Sequence, residues 1–285
     1  MQPNNNLSPL PFYMGNNIST GIEQQDANKW YANGVTYPYI VPSGALIPFI
    51  IFVNSYANTS VMNILLYKVC CGQGTYVGDY TNSLNYNVVD INDGHKAVVL
   101  LGGSLNVPKG YYYLKVDVIA GVSTFYSYYS EVFLIEDAIS VQKTKTKIEW
   151  WNEENLECDG VHIPYSDTSY KNVIYLDTDI ARPNYNFTEE GEERNGYFFP
   201  TKQISSKSHT MSFYAPEYLC DVMRTIRMAD VVKITDRYGR VYDCEQFEMN
   251  VGWMEQGHYA NVECSFITDT IIKKVGKAYS SISNR

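Results

Sequence analysis

The feature that most constrains the fold is a run of strand-length segments between Tyr37 and Asp137 that no helical stripe interrupts. The segments are rich in Val, Ile and Tyr, and turn signals such as the Asn-Asp-Gly at 92–94 separate them. They cover 37–41, 46–54, 61–69, 85–91, 96–102, 110–119 and 122–136. Seven strands in about 100 residues are typical of an immunoglobulin-like β-sandwich, so the pattern predicts one over 36–137.

The residues that follow predict a second β-rich domain over 148–275, and this domain contains one helix. The helix is expected at 216–228, with Pro216 at its first position, because apolar residues recur there at helical spacing. Those residues are Leu219, Val222, Met223 and Ile226. Strand patterns surround the helix at 207–213, 231–249 and 258–268. The second of these is expected to be a hairpin that turns at Asp236 to Gly239. An antiparallel barrel or sandwich with one packed helix is therefore predicted.

The length of 285 residues favours two domains, and polar segments flank and separate them. Residues 1–35, rich in Asn, Pro, Ser and Gly with scattered aromatic residues, predict an extended N-terminal arm that lies along a neighbouring surface. Residues 138–147 indicate a polar linker or an edge strand, and residues 276–285 indicate a flexible tail. The whole chain is therefore expected to be mainly β.

Charge and composition exclude several classes of protein. A formal charge of −9 argues against a protein that grips duplex nucleic acid, because such binding neutralises phosphates with Lys and Arg. No apolar stretch of about 18 residues is present, and the first residues lack the basic and apolar regions of a signal peptide. The six cysteines show neither CxxC nor zinc-finger spacing. These features predict a protein without membrane insertion that assembles in a reducing cytoplasm.

Six carboxylates crowd the stretch 175–200, where their chemistry could make an active site. They are Asp177, Asp179, Glu189, Glu190, Glu192 and Glu193. The Asp-Thr-Asp at 177–179 is too short a pattern to specify a metal, and the glycine of an EF-hand calcium loop is missing here. Glycosidases hold two carboxylates on rigid elements, whereas four glutamates around Gly191 in a loop repel one another. The stretch is therefore expected to be a solvated loop or a contact loop.

No other pattern points to catalysis. The four histidines form none of the HxH, HxxxH or HExxH spacings, and no GxSxG, P-loop or GxGxxG motif is present. A serine or cysteine nucleophile would need a positioned base. The chain is therefore expected not to be an enzyme, and no catalytic, cofactor-binding or metal-binding residue is assigned.

Several residues are candidates for contacts between subunits. Trp150 and Trp151 are adjacent, so on a strand one ring enters the core while the other lies on the surface or in a contact. The glutamate-rich loop, with the aromatic residues 197–199 after it, predicts a docking element for a basic neighbour such as the helix end of another copy. The candidate contacts are Trp150, Trp151, Glu189, Glu190, Glu192, Glu193, Arg194, Arg224 and Arg227.

Tyrosine is unusually frequent, with 26 tyrosines against 11 phenylalanines, and this suits strands with a wet face and interfaces. Six tyrosines alternate along two adjacent predicted strands: Tyr111, Tyr112, Tyr113, Tyr126, Tyr128 and Tyr129. A row of exposed rings is how a carbohydrate-binding sandwich stacks on sugars. The alternative is that three or more of these rings enter the core and the others cover a neighbouring subunit.

Three phrases carry a resemblance to a known group of proteins: GYYYLKV at 110–116, YYSEVF at 128–133 and KIEWWN at 147–152. Over residues 37–275 the chain resembles virion tail-region proteins, of ring, adaptor or baseplate-like type, from phages that infect Bacteroidales, including crAss-like phages. In that group a small sandwich precedes a domain of this kind. The resemblance rests on overall character and not on a catalytic motif, so it transfers no active-site residue.

The resemblance implies a structural subunit of a phage tail that assembles as a homo-oligomeric ring or adaptor in the tail barrel. Its partners would be other virion tail and portal-region proteins, with DNA only as passing cargo during ejection, and its location would be the virion tail. If the chain lines a channel, an acidic wall would repel phosphates and let the duplex slide. Two alternatives remain open: a receptor-binding or glycan-binding baseplate component, and a carbohydrate-active enzyme.

Overall fold

The computed structural model of the chain describes residues 8–15, 39–45, 48–53, 58–70, 73–91, 95–102, 105–122, 124–158, 161–253 and 259–274. The architecture is mainly β, as the sequence predicts, because strands make up most of these residues and the helices are few and short. Within these ranges no helix has the length and apolar character needed to cross a bilayer.

The N-terminal part is a sandwich of two sheets. Its strands are β1 (Phe12–Gly15), β2 (Tyr39–Pro42), β3 (Ile50–Val53), β4 (Thr59–Cys70), β5 (Gln73–Asp79), β6 (Asn85–Asp90), β7 (Lys96–Gly102), β8 (Gly110–Ala120), β9 (Thr124–Ser130) and β10 (Phe133–Glu136). The larger sheet has the order β1-β9-β8-β10-β2, with β4 also paired to β8 and β5 paired to β4. The smaller sheet has the order β3-β7-β6. Buried apolar residues such as Leu66, Val98 and Leu114 fill the space between them.

Several predictions for this part need correction. Residues 8–15, assigned to an extended arm, belong to the sandwich, because β1 pairs with β9 and the side chains of Leu10 and Phe12 are buried. The predicted strand 122–136 is two strands, β9 and β10, and β10 pairs in parallel with β2. β5 is an additional strand beside β4. The rest of the predicted arm, up to residue 35, and the predicted tail at 276–285 lie outside the described residues.

The C-terminal part contains two four-stranded sheets, a short hairpin and the helices. Its elements are α1 (Ala138–Thr144), β11 (Thr146–Trp151), β12 (Leu156–Cys158), β13 (Val161–Ile163), α2 (Tyr165–Thr168), β14 (Asn172–Leu176), β15 (Asn184–Arg194), β16 (Tyr197–Pro216), α3 (Glu217–Met223), a 3-10 helix (Arg224–Met228), β17 (Val231–Thr235), β18 (Val241–Asp243), β19 (Gln246–Trp253) and β20 (Tyr259–Lys274). The sheets have the orders β14-β11-β17-β18 and β15-β16-β20-β19, and β12 pairs with β13. Residues of both sheets and of α3 share one core.

Two further predictions need correction. The predicted linker 138–147 contains α1, which Asp137 caps by accepting a hydrogen bond from the Ser140 N–H at 2.9 Å, and β11 follows directly. The predicted helix 216–228 is α3 followed by the 3-10 helix. Pro216 is the residue before the helix and not its first residue, because it still ends β16 with an extended ψ of 161°.

The two predicted domains share buried surface. Ile50 and Phe52 on β3, with Ala97 and Val99 on β7, pack against residues of the C-terminal part. Those residues are Ile163, Tyr165 and Tyr170. The division at 137 and 148 stays a prediction, but apolar contacts join the two parts across it.

The indole of Trp150 ties the 3-10 helix to the sheet. Trp150 is fully buried on β11, and its Nε1–H donates to Thr225 Oγ1 at 2.9 Å, while the Thr225 hydroxyl donates to the Val222 carbonyl oxygen at 2.7 Å. Trp151 lies half-buried on the opposite face of the strand, with the Lys171 ammonium 4.1 Å from its ring centroid. The prediction that the two rings point to opposite faces is confirmed.

We expect Thr225→Val to lower the free energy of unfolding by about 1–3 kcal/mol, because it leaves the Trp150 N–H buried without its acceptor. Urea denaturation monitored by tryptophan fluorescence measures the change. Thr124→Val, at an exposed threonine on β9, is the matched control and is expected to stay within about 0.5 kcal/mol of the wild type. Equal stability of the two variants would contradict the role given to this hydrogen bond.

Asp236 organises the hairpin between β17 and β18, at the turn that the sequence predicts. Its Oδ1 accepts from the N–H groups of Tyr238 and Arg240 at 2.9 Å each, and its Oδ2 accepts from Arg240 Nε at 2.8 Å. Burial raises the pKa of this carboxyl, but the hydrogen bonds from Arg240 and Tyr238 offset that effect, so that the pKa is lowered overall. The folded turn therefore favours the charged carboxylate.

We expect Asp236→Asn to destabilise the protein by about 2 kcal/mol at neutral pH. Because the folded pKa is lowered, the contribution of the carboxylate is complete above the ordinary aspartate pKa of about 3.9 and is lost as the pH falls through the folded pKa. The gap in unfolding free energy between wild type and variant, measured by denaturation from pH 7 downwards, should therefore shrink below about pH 4. A gap that stays constant across this range would contradict the assignment.

Candidate interaction site: the β-arm

A three-stranded extension of one sheet, which we call the β-arm, contains no buried residue among those whose side chains are described. It consists of β15, residues 197–207 of β16 and residues 268–274 of β20. The remainder of β16 and β20 lies over the core, so that both strands run from the core into the β-arm without interruption. At about 3.3 Å per residue, the part of β16 in the β-arm spans about 33 Å.

The acidic stretch predicted as a loop is a strand. β15 pairs with β16 from Asn184 opposite Ser208 to Arg194 opposite Tyr197, which includes all four glutamates. Asn195 and Gly196 form the turn with φ of 54° and 79°, the left-handed conformations that a two-residue hairpin turn requires. Pairing with β16 along the whole of β15 overrides the weak strand propensity of the glutamates.

Apolar side chains lie exposed on the β-arm. They are Tyr185, Phe187, Tyr197, Phe198, Phe199, Ile271 and Ile272, with exposed fractions between 47% and 72%. Phe187 and Ile271 both lie opposite Ser205, so they share one face of the β-arm. Ile272 lies opposite Ile204, on the other face. Monomeric proteins rarely leave such apolar groups together in water, so both faces are candidate contact surfaces.

A glycine and a phenylalanine shape the outer end of the β-arm. The register shifts between Glu190 and Gly191, which leaves Thr201 as an extra residue on β16. The Thr201 hydroxyl donates to the Glu190 carbonyl oxygen at 3.0 Å. The Phe198 ring lies over Gly191, where an added Cβ would be 2.7 Å from its Cζ. Only glycine leaves room for the ring at this position.

His209 anchors the base of the β-arm, next to a second register shift between Lys207 and Ser208. Its ring is buried between Tyr242 and Phe266, with centroid distances of 5.0 and 5.3 Å. Burial lowers the pKa of the imidazole, although contact of its Nδ1 with the Ala181 carbonyl oxygen opposes this. The neutral ring therefore packs as part of the core and is not an exposed acid or base.

The charges on the β-arm are unevenly distributed. Glu189, Glu190, Glu192 and Glu193 lie on β15, while Lys273 and Lys274 end β20 on the other side of β16. Lys202 of β16 pairs with Glu190 at 2.9 Å, and the Gln203 amide donates to Glu189 at 2.5 Å. One edge of the β-arm is therefore acidic and the opposite edge is basic at its outer end.

The structure distributes the other predicted contact residues over separate places. Trp150 is enclosed in the core of its own chain, so its side chain is not a surface contact, whereas Trp151 keeps part of its surface accessible. Arg224 and Arg227 are exposed on the 3-10 helix, which packs beside β19, at the edge of the sheet opposite β15. Arg194 lies opposite Tyr197 beside the turn. The predicted pairing of these arginines with glutamates of another copy stays a prediction.

The aspartates at 177 and 179 form ion pairs with cations of their own chain. Asp177 contacts the Lys145 ammonium at 3.0 Å, and Asp179 contacts Arg237 at 2.9 Å. Asp179 also borders an open groove with Glu248 and Glu263. Within the described ranges no three His, Cys, Asp or Glu side chains lie together as metal ligands would.

The six tyrosines of the predicted sugar platform divide between the two faces of the larger sheet. Tyr112, Tyr126 and Tyr128 pack in or against the core. Tyr111, Tyr113 and Tyr129 belong to a cluster on the outer face, where Tyr67 stacks on Tyr113 with ring centroids 5.0 Å apart. Tyr113 and Tyr129 are themselves buried, at 5% and 9% exposure, so the rings mostly cover one another.

Sequence reasoning missed the strand character of β15 and the exposed isoleucines of β20. The signal for β20 was present, since the alternation at 258–268 continues as a polar and apolar mixture up to Lys274.

Compared with known proteins, the chain matches no protein-family model and no curated protein.

We expect Gly191→Ala to loosen the outer end of the β-arm, because the new methyl group meets the Phe199 carbonyl oxygen and the Phe198 ring. Overpacking costs about 1–3 kcal/mol, which corresponds to amide exchange in 184–206 that is roughly 5-fold to 150-fold faster. Hydrogen–deuterium exchange with mass spectrometry measures it. Gly252→Ala is the control, since its Cβ makes an ordinary 3.6 Å contact with Asn261. Unchanged exchange in Gly191→Ala would contradict this packing.

Proposed function

We propose that the chain is a non-enzymatic structural subunit that assembles with copies of itself into a ring or adaptor of a phage virion tail. The observation that carries the proposal is the β-arm, whose exposed apolar residues lie on both faces of a thin sheet. A thin sheet with exposed aromatic residues has no core of its own, so contact with another surface would stabilise it. The β-arm is thus better suited to assembly than to a ligand pocket.

The phage assignment rests on the resemblance over residues 37–275. It supports a place in the tail barrel, with other tail and portal-region proteins as neighbours and DNA as passing cargo. The net charge of −9 suits that role, because acidic groups facing a channel would keep DNA from adhering. Electron microscopy of assembled particles would test this point, since acidic groups confined to the outer surface would remove the argument.

Two alternatives have weaker support. A glycan-binding surface would need exposed rings in a row, whereas Tyr113 and Tyr129 are covered and separate the exposed rings of Tyr76 and Tyr13. A carbohydrate-active enzyme would need two carboxylates poised around a substrate. Of the three acidic side chains that border the open groove, Asp179 is held in an ion pair by Arg237.

Assembly is measured directly by light scattering coupled to size-exclusion chromatography, with negative-stain electron microscopy of the same fractions. We expect multimers that appear as closed rings. A chain that remains monomeric at every concentration and binds glycans on an array would overturn the proposal in favour of the receptor-binding alternative.

A charge reversal shows whether the β-arm mediates this assembly. Replacing Glu189, Glu190, Glu192 and Glu193 together by Lys should abolish multimers, because these groups lie exposed along one edge of the β-arm. The matched control replaces four exposed glutamates elsewhere: Glu153, Glu154, Glu217 and Glu248. Circular dichroism should show the same secondary structure in both variants, while the melting temperature should fall in the first variant if its multimers are lost. Normal assembly of the first variant would show that β15 is solvated surface.

A further inference from the structure

The β-arm has two strand edges without a partner strand among the described residues. β15 is the outermost strand of its sheet along its entire length. β20 loses its partner β19 beyond Ile267, so that residues 268–274 form a second open edge on the other side of β16. An open edge presents unpaired N–H and C=O groups that can pair with a strand of another chain.

The two edges carry opposite charges in the same rows of residues across the sheet. Glu190 pairs across the sheet with Lys202, which pairs with Lys274. In the next row Glu189 pairs with Gln203, which pairs with Lys273. The glutamates and the terminal lysines therefore lie at the same distance from the body of the protein, on opposite edges.

An apolar row crosses the β-arm closer to the body. Phe187, Ser205 and Ile271 lie side by side on one face. The two outer members of this row are 62% and 63% exposed, so their apolar surface stays open on both edges. A strand added to either edge would cover the side chain of Phe187 or Ile271 if it carried an apolar residue in the same row.

We propose that the open edge of β20 in one copy pairs with the open edge of β15 in the next copy, which makes one continuous sheet across copies. Both strands run antiparallel to β16, so the new pair is parallel when the β-arms of the two copies point in the same direction. Aligned β-arms then place Lys273 and Lys274 beside Glu189 and Glu190 of the next copy, and Ile271 beside Phe187. The inference rests on the proposed function and names the contact that joins its subunits.

The charges select this head-to-tail arrangement over a two-fold one. Pairing β15 with the β15 of another copy would bring two acidic strands together, which is unfavourable. Head-to-tail contacts use two different surfaces, so each copy added leaves one edge of each kind open until the chain of copies closes into a ring. The unlike edges of the β-arm therefore agree with a ring of several copies and not with a dimer.

Disulfide trapping tests the pairing in the full-length chain. Phe187→Cys and Ile271→Cys are prepared as separate proteins, mixed in equal amounts and oxidised. Within one chain the two positions are two strand spacings, about 10 Å, apart, which is too far for a disulfide bond. A linked dimer that forms in the mixture, but in neither protein alone nor in wild type with its exposed Cys70, is the expected result.

Other outcomes overturn the inference or shift the register of the proposed strand pair. A linked dimer of Ile271→Cys alone would mean two-fold pairing of β20 edges and would overturn it, as would the absence of any link in the mixture. Asp269→Cys and Lys273→Cys lie on the same face as Ile271, so a link to Phe187→Cys at either of these positions supports the same pairing with a two-residue slip.

A charge exchange separates this inference from the proposed function. Lys273→Glu with Lys274→Glu should abolish multimers, and adding Glu189→Lys with Glu190→Lys to the same chain should restore them. If wild type assembles but the exchange fails to restore assembly, the edge pairing is wrong while the structural role stands. If wild type does not assemble at all, the proposed function itself fails.

Discussion

The structure depends on the alternation of buried and exposed residues along β16 and β20. Phe213 and Ala215 on β16 face Val262 and Ala260 on β20, and all four are buried in the common core. Because side chains on a strand alternate between faces, a slip of one residue would turn this apolar set towards water. Burial in the body therefore fixes the register of the β-arm, and with it the rows in which its charged and apolar residues lie.

Local patterns predicted those parts of the fold that local physics determines. The alternation at 258–268 predicted β20, the Asp236 to Gly239 turn was placed correctly, and the adjacent tryptophans were assigned to opposite faces. Helix α3 was found from its apolar spacing, but it begins after Pro216, which ends a strand, and residues 224–228 form a 3-10 helix.

What the sequence could not predict depends on contacts between distant residues. β15 is a strand because β16 supplies a partner for its backbone, and a cluster of glutamates by itself resembles a loop. β1 joins the larger sheet through β9, more than 100 residues along the chain, so its short polar surroundings gave no indication of a strand. The opposite charge of the two β-arm edges likewise becomes visible only when the register is known.

Continuous strands also give the β-arm a definite response to mechanical load. A pull along the β-arm is carried by β16 and β20, whose ladder runs from Lys202 to Pro216, so that many hydrogen bonds resist sliding together. The proposed contact between copies involves only the short edge 268–274 of β20. Under tension a ring of such subunits would thus part at its seams before any subunit unravelled, and the separated copies would keep the shape needed to join again.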